Sequence, residues 1–157
     1  MYHIITKGPL EEDKNMFIAA QGPLPNSKEK FWKLIVNKKI KLIIMLTQLN
    51  ENGRAKCDQY WPKSQNDPIV FENIKITLDA EEEILKDAVI QRNFSIFVGD
   101  AVLNITQLQI ICWNDHSVPE DQWGYKSIEL VSTFIDDSRK TDKESPILIH
   151  CRYDIFY

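Results

Sequence analysis

The sequence predicts an α/β fold in which helices cover a large mixed sheet, and three observations carry that prediction. The run "IKLIIML", residues 40–46, is apolar and β-branched without alternation, as in a central strand covered on both faces. "IKITL", "IQRNFSIFV" and "VLNITQLQIICW" follow at short spacing, and a Gly99-Asp100 turn makes the last two antiparallel neighbours of one meander. Two stretches repeat apolar residues at helical spacing instead.

The elements can be justified in order. "FIAA", residues 17–20, is a short apolar strand, and "QGPLPNS" breaks the chain at Gly22, Pro23 and Pro25. Asn26 can cap the first helix, with Glu29 completing a capping box. Phe31, Trp32, Ile35 and Val36 form its inward stripe. After residues 40–46 comes a polar loop, residues 47–53. "IKITL" then alternates as a half-buried strand, and "DAEEEILKD" reads as a charged turn. Pro119, Glu120 and Asp121 open the second helix, where acidic residues favour the dipole. Its inward face reads Gly124, Ile128, Val131 and Ile135. "DDSRKTDKES" is expected to be a solvated loop, and Pro146 introduces a last strand, "ILIHC".

Composition narrows the function classes. The 157 residues suit one domain or the larger part of one, with 43% hydrophobic and 27% charged residues. A net charge of −4 gives no general attraction to nucleic acid or anionic membrane. No apolar run is long enough to span a bilayer, and "MYHIITKGPL" lacks the pattern of a signal peptide. Cys57, Cys112 and Cys151 are odd in number and widely spaced, against both a disulfide framework and a zinc site. A reducing intracellular compartment fits them best. No cofactor and no metal are expected.

Three segments hold candidate chemistry. Cys151 ends the last strand, where a loop, a helix N-terminus and a cation can turn a thiol into a nucleophile. On spacing alone it reads rather as a small core hydrophobe. Asp115, in "CWNDHSVPED", sits in a polar turn where a carboxylate can protonate a leaving oxygen, or be an ordinary turn aspartate. Tyr60 and Trp61, in "GRAKCDQYWP", read as packing.

Taken together, these segments resemble the cysteine-dependent protein tyrosine phosphatase family. "FIAAQGPLPNSKEKFWKLI", "IIMLT" and "GRAKCDQYWP" are similar to segments that family members carry in this order. "WNDHSVPE" resembles the family's Trp-Pro-Asp loop, and "PILIHC" the strand leading to its nucleophile. The resemblance implies an incomplete phosphatase fold over residues 1–157, a mixed central sheet with flanking helices and the C-terminal helical part missing. It implies that Cys151 matches the nucleophile, His150 its neighbour and Asp115 the general acid. Trp113 matches the hinge of the closing loop and His116 flanks the acid, while Asn114 replaces the usual Pro. Lys56 matches a lysine that steadies the closed loop. Glu51 matches a glutamate that pairs with the phosphate-binding Arg, so here it should face solvent or turn to Lys56.

The departure comes after Cys151. The family pattern H-C-x5-R runs through small residues and glycines to an Arg. This chain reads Arg152, Tyr153, Asp154, Ile155, Phe156, Tyr157, with no glycine and with Tyr157 at the Arg position. The sequence is therefore read as a truncated or frameshifted member, catalytically inactive and acting by binding partners. Two other readings stay open: a weak phosphatase working through a Cys151 thiophosphate with Asp115 as acid, and a decayed gene product. Richness in Ile, Asn and Lys points to an AT-rich genome, and the chain resembles the divergent tyrosine phosphatase-like proteins, many without catalytic residues, of viruses carried by parasitoid wasps. That likeness implies phosphotyrosine signalling partners in a host cell's cytoplasm, with no nucleic acid and no membrane.

Overall fold

The computed structural model describes residues 2–7, 14–113 and 122–152, with side chains from Phe17 onward. The strands are β1 (Tyr2–Lys7), β2 (Lys14–Gln21), β3 (Leu42–Met45), β4 (Asn50–Glu51), β5 (Arg54–Ala55), β6 (Ile69–Phe71), β7 (Ile74–Leu85), β8 (Val89–Val98), β9 (Ala101–Ile110) and β10 (Ile147–Cys151). The α-helices are α1 (Lys28–Asn37) and α2 (Gln122–Thr141). Among the described residues, eight strands form one sheet in the order β1-β2-β10-β3-β9-β8-β7-β6, and β4 and β5 form a separate small hairpin. The four strands β2, β10, β3 and β9 run parallel. Their neighbours on both sides are antiparallel.

This is the mixed sheet expected, and its centre follows from the apolar runs. Leu42, Ile43, Ile44 and Met45 are all buried, because alternate side chains enter different cores on the two faces. Ile43, Met45 and Leu148 join the core with Phe31, Trp32, Ile35 and Tyr60. Leu42, Ile44 and Ile147 join the other, with Leu108 and Val131 of α2. β3 and β10 pair in parallel over Leu42–Met45 and Ile147–His150, as two covered central strands should.

Four local expectations are corrected. Asn26 and Glu29 do not form a capping box. A 3-10 turn over Pro25–Ser27 precedes α1, and the Ser27 hydroxyl accepts from Leu24 N–H at 2.8 Å and donates to its carbonyl at 3.1 Å. The charged "DAEEEILKD" is no turn until its end. β7 continues through it to Leu85, opposite Val89–Asn93, because Glu81 meets Arg92 across the strands and Ile84 and Leu85 pack on the α2-side core. α2 likewise runs through most of "DDSRKTDKES". Arg139 and Lys140 lie at its negative end, and Arg139 stacks 4.9 Å over the Phe17 ring. Only Asp142–Ser145 remain as loop, tied by the Asp142 carboxylate to Glu144 N–H, Ser145 N–H and Lys41. Finally, Ile128 is exposed and Ser127 is buried in its place, beside Gly124 and Val131. Val36 is only partly buried. Pro119, Glu120 and Asp121 lie outside the described residues.

Candidate active site

Parallel pairing brings four strand ends to one edge, and the site is built there. β2 ends at Gln21, β10 at Cys151, β3 at Met45 and β9 at Ile110. Backbone bonds tie the ends together. Gly22 N–H donates to the Cys151 carbonyl at 3.0 Å, and Leu46 N–H donates to the His150 carbonyl at 2.9 Å. The Gln48 amide reaches the Ile111 carbonyl at 2.6 Å. The segment leading to Trp113 therefore leaves the edge that presents Cys151.

Alternation separates the last two residues of β10. His150 points into the α1-side core and is 1% exposed, whereas Cys151 is exposed at the tip. The His150 ring lies edge-on to Phe31 and Tyr60, at centroid distances of 5.6 and 5.4 Å. Its Nε2 is 2.8 Å from the Tyr60 hydroxyl and its Nδ1 is 3.0 Å from the Cys151 carbonyl. Burial pushes its pKa down to about 4, with the Cys151 carbonyl pulling weakly the other way, so the ring is neutral at pH 7. The Cys151 Sγ rests 3.9 Å from the Leu46 carbonyl oxygen.

Cys57 lies beneath the tip. Burial, then Asp58 and Cys151, push its thiol up to about 12. Iodoacetamide at pH 8 is expected to alkylate Cys151 well before Cys57; equal rates, read by peptide mass spectrometry, would remove this distinction between the two thiols.

Gly22 is where the close approach happens. A Cβ there would sit 2.7 Å from Cys57 Sγ and 2.8 Å from the Cys151 carbonyl oxygen. Gly22→Ala must displace the β10 tip or the Cys57 loop and is expected to cost about 1–3 kcal/mol, as overpacking does. Urea denaturation checks this, and an unchanged midpoint would mean that the edge is slack.

Glu51 and Lys56 are carried by the small hairpin after β3. They form an ion pair at 3.3 Å, with side chains 16% and 13% exposed. Trp113 is half-buried against the α2-side core. Asn114, Asp115 and His116 lie outside the described residues, so none of them is placed relative to Cys151.

Sequence reasoning missed a polar network beside this edge. Tyr60, read as packing, is fully buried and holds both His150 and Gln107. Gln107 and Gln109 are buried in β9, and Arg92 of β8 bonds both. A signal was available: two glutamines at alternate positions of a central strand, on a face otherwise apolar, demand buried partners.

The site edge thus presents an exposed cysteine at the tip of a central parallel strand, with a buried histidine behind it. The protein-tyrosine phosphatase family model matches residues 4–154, and the chain belongs to that family. It is 38% identical over 149 residues to the receptor-type tyrosine-protein phosphatase eta of Gallus gallus, covering 91% of this chain and 10% of the relative. It is 33% identical over 139 residues to the tyrosine-protein phosphatase non-receptor type 4 of Mus musculus, covering 87% and 14%. Among solved structures it is similar to the catalytic domain of human protein tyrosine phosphatase non-receptor type 18, at TM-score 0.74 and 26% identity, covering 88% of this chain and 47% of that one. The chain thus spans a small part of these curated relatives and about half of the solved domain. Among the described residues no helix is long and apolar enough to cross a membrane.

Proposed function

We propose that this chain is a pseudophosphatase: part of one tyrosine phosphatase domain, residues 1–157, that binds phosphotyrosine signalling proteins in the cytoplasm without hydrolysing them. The observation that carries this reading is the sequence after His150-Cys151, which has no glycine and places Tyr157 where the family pattern has Arg. Catalysis of phosphoryl transfer rests on preorganised positive charge and N–H donors, and loss of one such donor typically costs about 10²–10³ in rate. Glycines are what let such a loop turn its backbone N–H groups toward a phosphate, and residues 152–157 supply none. Asp154 adds a negative charge at a position of that family pattern. A complex of the non-receptor type 18 phosphatase with HER2 phosphopeptides supports the choice of partner class.

The purified chain is expected to hydrolyse p-nitrophenyl phosphate no faster than its Cys151→Ser variant. A rate that depends on Cys151 and falls again in Asp115→Asn would overturn the reading in favour of a weak phosphatase using a Cys151 thiophosphate. The exposure of the Cys151 thiol is what favours that second reading.

A further inference from the structure

A buried chain of hydrogen bonds runs from β8 to the tip of β10, and chemistry at one end fixes the direction of every link. It begins at Arg92, which is 5% exposed, faces the Trp61 ring at 4.3 Å and is anchored by Glu81. A guanidinium only donates. Arg92 Nη1–H donates to Gln107 Oε1 at 3.1 Å and to Gln109 Oε1 at 2.8 Å. The Gln107 amide is thereby oriented: its oxygen faces Arg92, so its nitrogen faces the other way. There it donates to the Tyr60 hydroxyl oxygen at 2.5 Å and lies 3.9 Å from Met45 Sδ, which occupies both amide hydrogens.

The Tyr60 hydroxyl has one hydrogen. Its oxygen already accepts from Gln107, and burial keeps the phenol protonated. The hydrogen is left for His150 Nε2, at 2.8 Å. Were Nε2 to donate instead, the Tyr60 oxygen would accept twice and its buried hydrogen would lose this partner; Nε2 as an acceptor, carrying no proton, leaves both groups bonded. A neutral imidazole then has its proton on Nδ1, which donates to the Cys151 carbonyl at 3.0 Å.

We propose that Arg92 and Gln107 are positioning residues that select the Nδ1–H tautomer of His150 and so clamp the Cys151 carbonyl at the strand tip. That carbonyl then receives two donors, His150 Nδ1–H and Gly22 N–H, each at 3.0 Å. Two bonds fix the plane of the peptide that leaves Cys151. The opposite tautomer would turn a bare Nδ1 lone pair onto the carbonyl oxygen and set Nε2–H against the Tyr60 hydrogen. The device is a ground-state property of the fold and does not depend on whether the chain turns over phosphate.

The test is ring ¹⁵N NMR of the histidine-labelled full chain at pH 7, with the His150 signals assigned by their loss in His150→Asn. The wild type is expected to show a protonated Nδ1 and a bare Nε2; a protonated Nε2 would overturn the proposal without any variant. Gln107→Glu reverses the polarity, because a carboxylate accepts from both Arg92 and Tyr60. The Tyr60 oxygen must then accept from His150, so a proton is expected on Nε2. Retention of the bare Nε2 in Gln107→Glu would show that the relay does not select the tautomer. Tyr60→Phe, which keeps the ring packing, gives the same reading if Gln107→Glu does not fold: Nε2–H should gain population, and an unchanged Nδ1–H state overturns the proposal.

Discussion

Trp32→Ala is expected to destabilise the protein by about 4 kcal/mol, the loss typical of an emptied aromatic core site. Trp32 is fully buried in α1, with edge contacts to Tyr60 and Phe94 at 5.8 Å each. Its indole N–H donates to the Tyr60 carbonyl at 2.8 Å, so truncation also leaves a buried acceptor without its partner. Domains of this kind hold about 5–15 kcal/mol in all, so the loss is a large fraction of the total. In thermal unfolding the midpoint should fall by roughly 10 °C at a chain of this size. Val70→Ala, at a position 61% exposed, is the control and should move stability by less than about 0.5 kcal/mol. If the two variants melt together, α1 is not docked on the sheet as described.

Acidification should produce the second large effect. The pKa of His150 falls from 6.5 to about 4 on folding because the ring is buried. Between those two values the unfolded chain binds the proton and the folded chain does not, so unfolding takes up a proton and stability falls as pH falls. The contribution is complete above about pH 6.5 and is lost progressively toward pH 4. A shift of this size corresponds to about 3 kcal/mol across the window. Urea midpoints measured from pH 7 to pH 5 check it, ahead of the range where ordinary carboxylates titrate. His150→Asn should flatten that limb. A wild-type midpoint that stays level from pH 7 to pH 5 would mean that the ring charges in the folded state, and the buried position of His150 would fail with it.

The central strands were legible because their signal is local. Leu42–Met45 is a continuous apolar run buried throughout and Ile147–Ile149 one in which Ile149 alone is partly buried, and only a strand with a core on each face covers such a run. The quoted motifs around Gly22, Tyr60, Trp113 and Cys151 were legible as a family pattern for the same reason. Charged segments misled. "DAEEEILKD" and "DDSRKTDKES" look solvated residue by residue, yet one became strand and the other helix. Cross-strand partners such as Arg92 opposite Glu81, and the Phe17 ring beneath Arg139, are distant in sequence and leave no local mark.

By itself the sequence determined the mixed sheet, the family, the Cys151 tip and the departure from the phosphate-loop pattern that follows it. These are written in residue type and order, which no folding event alters. Only the tertiary structure decided what surrounds that tip: the 2.7 Å approach of Cys57 to the Gly22 position, the Glu51–Lys56 pair, and the relay from Arg92 through Gln107 and Tyr60 to His150. Hydrogen-bond direction depends on which groups meet across 15, 47 and 90 residues of chain, and only the sheet register brings them within bonding distance.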